Sequence, residues 1–428
     1  MKSLAKPRIA YLTGEFPKVS HTFILREIEA LRLQGLEVQT CSIRRTGTEH
    51  HRGASERAAA DTTFYVLQTA RNPLRLLGAV LAGLARPGRF LEGIGLAWRT
   101  RPPGLRAAFY QLVYLIEALV LSRHLRDQNV THLHNHFANS SCSVAMLTSV
   151  VSGIPFSFTM HGPSIFFEPR VWRIDEKIAR ARFVSCISHF CRSQGMLFSD
   201  PSHWHKLRIV HCGVTTANYG NALETEYGKH AIFVGRLDPI KGVPLLLEAF
   251  AAARSRHSDA RLTVVGDGIA RSSLEAQARE LGIASKVTFT GYRSQEEVSE
   301  LLEEADMLIL PSFAEGVPVV LMEAMATRIP VIASQVGGVA ELVEEGKSGF
   351  LIPAGDVDTL TARMVSLFDD PELCRAFGET GRAKVLEDFD IDKEATWLAA
   401  LLKGEGEGLR PNKPSSQPQA QLATGDAL

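Results

Sequence analysis

The sequence predicts an α/β fold of two doubly wound domains facing each other across a cleft. Three observations carry this. Strand-length apolar runs alternate with amphipathic helical patterns along two separate stretches, the order that builds parallel sheets through right-handed crossovers. A polar, aperiodic segment, "VTTANYGNALETEYGKH" (214–230), divides the two stretches as a linker would. And 428 residues are enough for two cores of ordinary size.

The first domain, 1–213, opens with "RIAYLT" (8–13) as a buried strand. An amphipathic helix, "TFILREIEALRLQG" (22–35), follows and ends at Gly35, and "EVQTCSI" (37–43) is the next strand. Residues 70–127 read as a helical insertion rich in Leu, Ala and Arg, broken at Pro87 and at Pro102-Pro103. Strands resume at 131–137, 156–161, 182–188 and 207–213. The second domain, 231–386, alternates strand and helix from "AIFVGR" to "GFLIP". Residues 387–403 form a last helix, and 404–428, almost without bulky apolar residues, are expected to be disordered. In such sheets ligands bind at the carboxyl ends of strands, which here means the cleft.

Charge is balanced at 47 basic and 47 acidic residues, so no overall field recruits nucleic acid. The six cysteines contain no C-x-x-C pair, which argues against structural zinc or a disulfide framework and for a reducing cytoplasm. The opening apolar run, "IAYLTG", is too short for a secretory signal. Of the longest apolar runs, "LLGAVLAGLA" (76–85) is about half the ~20 residues a bilayer crossing needs, and "FYQLVYLIEALVL" (109–121) contains Glu117. The expectation is a chain that does not span a membrane, although 70–127 has the basic, leucine-rich composition of helices that lie on one or simply cover a core.

The densest constellation is "SFAEGVPVVLMEAMA" (312–326), where Glu315 and Glu323 have seven residues between them. The strand "DMLILP" delivers the chain to Glu315 and Gly316, and Pro318 suits a first helical turn. Amides of Gly316 and Val317 at such a helix start suit phosphate or sugar oxygens, and a carboxylate at 323 suits a vicinal diol. The plain alternative is two solvated helix charges. A second group, "AIFVGRLDPIKG" (231–242), sets Arg236 and Lys241 just past a strand end. Arg offers a forked grip on a diphosphate and Lys a mobile point charge, so together they would neutralise a departing anion as a metal otherwise does; the plain alternative is two solvated loop cations.

His161, at the end of "FSFTMH", is placed to face the cleft from the first domain, either touching a reacting sugar or merely packing. His132, His134 and His136 alternate along one strand face and resemble a metal comb. No acidic or cysteine partner with ligand spacing accompanies them, and a buried strand would reject three charged rings. His136, nearest the strand end, is retained as a cleft residue and no metal is assigned. Other signals fail. "EEGKSG" (344–349) would need glycine where Glu341 stands, "VVGDG" lacks a third glycine, and Asp356 with Asp358 suits a helix start.

Taken together, "FVGRLDPIKG", "VVGDG", "FTGY", "PSFAEGVPVVLMEAMA", "PVIAS", "GGVAELVEEGKSGFLIPAGD" and the first-domain "MHG" resemble the retaining glycosyltransferases of family four, with the GT-B fold. The resemblance implies that Glu315 contacts the donor sugar, Glu323 the ribose, Arg236 and Lys241 the diphosphate, and Tyr292 the base. It makes His161 the cleft histidine and "FDIDKEATWLAALLK" a helix crossing back to the first domain. Many members carry a Gly-Gly loop after the first strand. Here Gly14 stands alone in "TGEFPKVSHTFI", which is similar to a subgroup associated with bacterial exopolysaccharide, colanic acid and capsule assembly. Gly14, Ser20 and His136 then mark the acceptor side.

The function expected from the resemblance is transfer of a hexose from a UDP- or GDP-sugar, without cofactor or metal, to a glycan hydroxyl. The acceptor expected is a polyprenyl-diphosphate-linked oligosaccharide at the inner face of the plasma membrane. The alternatives are a nucleotide-sugar epimerase or hydrolase on the same fold, and a catalytically silent binding subunit. A dehydrogenase would need the missing glycine fingerprint.

Overall fold

The computed structural model describes residues 7–18, 21–51, 53–220 and 227–405. Ser20, linker residues 221–226 and most of the tail expected to be disordered, 406–428, lie outside them.

The first sheet contains β1 (Arg8–Glu15), β2 (Glu37–Arg44), β3 (Phe64–Tyr65), β4 (His132–His136), β5 (Phe156–Met160), β6 (Val184–Cys186) and β7 (Leu207–Ile209). Their spatial order is β3-β2-β1-β4-β5-β6-β7, with parallel pairing throughout. The second contains β8 (His230–Val234), β9 (Arg261–Val265), β10 (Val287–Gly291), β11 (Met307–Leu310), β12 (Val331–Ser334) and β13 (Gly349–Ile352). It too is parallel, in the order β10-β9-β8-β11-β12-β13. Strand order reverses between β1 and β4 and again between β8 and β11. Those are the points where a doubly wound sheet opens a crevice.

Local chemistry explains the elements. The inner strands of the second sheet, β8, β11 and β12, are near-continuous apolar runs because helices cover both faces, whereas β4 and β5 of the first carry buried polar side chains. The helix α1 (Thr22–Leu33) returns β1 to β2, burying Ile24, Ile28 and Leu31, and Gly35 with φ +80° turns the chain out of it. The insertion is three helices, Pro73–Leu84, Pro87–Thr100 and Leu105–Asp127. The first two start at a proline, whose missing N–H is harmless there.

Some expectations need correction. The strand anticipated over 207–213 ends at Ile209, and the helix anticipated over 339–346 is the single turn Val339–Leu342. The apolar run 109–121 belongs to a 23-residue helix that is long and apolar enough to cross a membrane by length and composition. Its Leu115, Ala118, Leu121 and Leu125 are buried, and the helix packs on Ser140–Ser152 and on the two other helices of the insertion. The last helix, Ile391–Lys403, packs on α1 of the first half. There Trp397 Nε1 donates to the Ile209 carbonyl (3.0 Å) and a Glu394 oxygen accepts from the His211 amide (2.9 Å).

Candidate functional site

At the second switch point, β8 ends at Val234 and β11 at Leu310, and their loops carry the predicted groups. Lys241 closes a short turn, Pro239–Lys241, started by the Asp238 side chain. Gly242 follows with φ +66°, where a Cβ would meet the Pro311 carbonyl at 2.1 Å, so only glycine lets the two loops close. The result is a tight pair: Lys241 Nζ donates to Glu315 Oε1 at 2.6 Å. Arg236 is different. Its side chain is 56% exposed and lies 3.6 Å from Asp238, leaving it able to swing toward an arriving anion.

Pro318 is the N-cap of the helix Val319–Ala326, with extended backbone, rather than its first helical residue. Pro318 gives that helix start no side-chain capping bond. Glu323 lies on its buried face and accepts two bonds at Oε1, from Arg26 Nη2 (2.9 Å) and Gln295 Nε2 (2.9 Å). Gln295 also donates to the Tyr219 hydroxyl (2.9 Å). Tyr292 follows the end of β10, three residues before Gln295.

The two halves meet directly here. A Cβ on Gly316 would lie 2.3 Å from the carbonyl oxygen of His161, and one on Gly338 would lie 3.0 Å from Ser188 Cβ. Both oxygens of Glu341 accept from the first amides of the helix His189–Leu197, His189 at 2.7 Å and Phe190 at 2.8 Å. A carboxylate at a helix N-terminus is favourable in charge and in hydrogen bonding. Arg26 also donates to the Gly213 carbonyl (3.1 Å) at the crossing between the halves. Val317 is buried against Gly338. The cleft is closed, and the acids and the lysine of the site pair with protein groups.

On the first-domain side the histidine expectations change. The His161 ring is not open to the cleft. It is buried between Phe23 and Phe137, with Nε2 2.9 Å from His136 Nδ1, and what reaches the seam is its carbonyl. His136 is fully buried rather than cleft-lining. All of β4 is buried, and His132 and His134 are accommodated by hydroxyls of β5. Ser157 Oγ is 2.7 Å from both His132 Nε2 and His134 Nδ1, and Thr159 Oγ1 is 2.9 Å from His134 Nε2. Burial pushes His132 down to about 3 and His134 well below its usual value, so these rings are neutral.

An acidic partner absent from the local sequence does arrive from α1. Glu27, His134 and His136 offer ligand atoms within 4.8 Å of one another. Each of those histidine nitrogens already has a hydrogen-bond partner, so the group reads as a polar network. Gly14 lies inside β1 beside open space. Arg26, Glu27, Gln295, Tyr219 and Glu341 were missed in the sequence, since no local spacing links them to their partners.

Residues 221–384 match the family described as glycosyl transferases group 1. The chain carries a glycosyl transferases group 1 domain. Alpha-D-kanosaminyltransferase of Streptomyces kanamyceticus is 30% identical over 175 residues, 41% of this chain and 45% of that one. That match therefore spans about half of the relative's length. A Salmonella typhimurium protein provisionally named as a colanic acid biosynthesis glycosyltransferase, WcaL, is 26% identical over 414 residues, 92% of this chain and 99% of that one. Among solved structures, Anabaena Alr3699/HepE in complex with UDP-glucose superposes with a TM-score of 0.70 at 17% identity, over 93% of this chain and 99% of that one. The fold around the group 1 domain is GT-B.

Proposed function

We propose that the protein is a retaining hexosyltransferase that moves a sugar from a UDP- or GDP-sugar to a hydroxyl of a growing glycan in exopolysaccharide assembly. The observation that carries this reading is the Lys241–Glu315 pair, 2.6 Å apart at the switch point beside a helix start to which Pro318 gives no side-chain capping bond. On donor entry the diphosphate takes Lys241 from Glu315 and draws in Arg236. Glu315, released, accepts from a hydroxyl of the donor sugar. The oxygen of Glu323 that Arg26 and Gln295 leave unused takes the ribose, with Tyr292 near the base.

In the transfer step the bond from the anomeric carbon to the diphosphate oxygen breaks. The acceptor oxygen bonds to that carbon on the same face, and the acceptor's proton passes to the departing diphosphate. Arg236, Lys241 and the amides of Gly316 and Val317 stabilise the negative charge, so this reading assigns no metal or cofactor. The extended match to WcaL supports a place in exopolysaccharide assembly, and the HepE complex supports a nucleotide-sugar donor. The acceptor proposed is a polyprenyl-diphosphate-linked oligosaccharide, met at a membrane surface by the exposed apolar side chains of the helices within 73–127.

Incubation with radiolabelled UDP- and GDP-hexoses, with and without lipid-linked acceptor, tests the reading. Label should pass to the acceptor with retained configuration and in the presence of chelator. Lys241→Ala should lower kcat roughly 100- to 1,000-fold, as loss of a charge-stabilising donor does. Release of free sugar independent of acceptor would mean hydrolysis and overturn the proposal.

A further inference from the structure

Behind the seam lies a chain of buried groups that the donor chemistry does not use. Glu27 Oε1 accepts from the Tyr11 hydroxyl at 2.7 Å and lies 3.2 Å from His136 Nε2. His136 Nδ1 is 2.9 Å from His161 Nε2, and His161 Nδ1 is 3.8 Å from Cys212 Sγ. Each ring nitrogen thus has one partner, and the chemistry of the two ends sets the direction of the chain. A carboxylate only accepts, so His136 donates from Nε2, and with that as its single proton it presents a lone pair at Nδ1. His161 must then donate from Nε2, which leaves its Nδ1 as the acceptor for a thiol.

The thiol end agrees, because burial pushes the Cys212 thiol up and it keeps its proton. Burial also pushes His161 well below its usual value, so the ring is neutral. The aromatic walls resist reorientation: Phe23 and Phe137 have ring centroids 4.8 Å from that of His161, and His136 stacks on it at 5.2 Å. Phe137 has φ +70°, a conformation a bulky residue adopts only when its surroundings impose it.

We infer that Glu27 is a positioning residue: through His136 it holds His161 as the Nε2–H tautomer and so fixes the His161 carbonyl against Gly316, next to Glu315. This rests on the reading of Glu315 as a donor-sugar contact.

Nitrogen NMR of the full chain labelled at histidine, with the His161 signals assigned by His161→Asn, tests the relay apart from catalysis. The expected spectrum shows His161 protonated at Nε2. Glu27→Met removes the acceptor and should mix the two tautomers and lower kcat roughly 10- to 100-fold, the scale of a small misplacement, with little change in donor KM. Glu27→Gln keeps a carbonyl acceptor and should restore both. An Nδ1–H signal in the unaltered protein overturns the relay even if Glu27→Met fails to fold. Unchanged tautomer and kcat in a folded Glu27→Met protein overturn it as well. A tautomer change with normal kcat sinks instead the catalytic relevance of the His161–Gly316 seam.

Discussion

Glu323 receives Arg26 from the opposite half, and that pairing has an energetic consequence. Both side chains are 9% exposed, so removing Arg26 leaves Glu323 nearly buried among neutral groups, Gln295 and Tyr219. Arg26→Met should therefore destabilise the fold by about 3–5 kcal/mol, measured by urea unfolding. It should also raise donor KM more than it lowers kcat, since Arg26 orients a binding group and not the reacting atoms. The double variant Arg26→Met with Glu323→Gln should recover much of the stability but not the donor affinity. A single variant as stable as the parent protein would show that the ion pair is incidental. At this scale the sequence was half legible. Glu315 and Glu323 could be found because one strand, one turn and one helix fix their spacing. Arg26 sits 297 positions from Glu323, and on α1 it reads as one more polar residue of an amphipathic helix. Only closure of the two halves gives it a partner.

Among the elements, β4 shows most clearly how environment changes the meaning of a pattern. Alternation of His132, His134 and His136 was legible as a shared face, and the objection to burying three charged rings was sound. What the strand alone could not reveal was that β5 would meet that face with Ser157 and Thr159. Neutral rings bonded to hydroxyls are tolerated where charged ones are not. This makes a prediction about pH. Burial holds His21 and His132 at about 3, and His134 and His161 well below their usual value. Between those values and about 6.5 the unfolded chain binds protons that the folded chain does not, so stability falls as pH drops. Glu117 acts the other way, since burial raises its carboxyl to about 7 and folding favours its proton between there and the usual carboxylate range. His124 and His230 are lowered as well and Glu29 is raised as well, so six histidines against two carboxyls leave a net loss. Urea midpoints should fall from pH 7.5 to pH 5.5. His132→Phe, placed where the ring already stacks on Phe183 at 6.0 Å, should flatten the slope. A flat profile in the unaltered protein would contradict neutral burial of these rings.

For the whole molecule, the two-domain architecture was legible because strand and helix periods repeat in order, whereas surfaces were not, because periodicity does not say which apolar stripe faces a core. The helices within 73–127 settle that question for this chain. Leu74, Leu77, Leu81 and Leu84 are exposed at helical spacing on the first, Leu91, Ile94 and Trp98 on the second, and Leu105, Phe109 and Leu112 on the third. The three helices pack on one another. Residues 71–106 also hold seven arginines against one acidic residue, Glu92, in a chain whose total charge is zero. Arg101 lies over the Trp98 ring at 3.5 Å, an amphipathic pairing suited to a lipid headgroup layer. Exposed apolar stripes on arginine-rich helices would suit an anionic bilayer surface, although Arg86 and Arg89 donate inward to the carbonyls of Ser152 and Val150. Each cation near such a surface contributes about 1 kcal/mol and each inserted leucine about 1.5–3 kcal/mol. The full chain should sediment with vesicles containing phosphatidylglycerol and much less with pure phosphatidylcholine, and added salt should weaken the binding. Replacing Leu77, Leu81 and Trp98 together by serine should reduce binding by at least about tenfold while leaving transfer to a water-soluble acceptor intact. Equal binding to both vesicle types would remove the arginines from the account. Absence of binding to either would return these helices to the plainer role of covering the first domain.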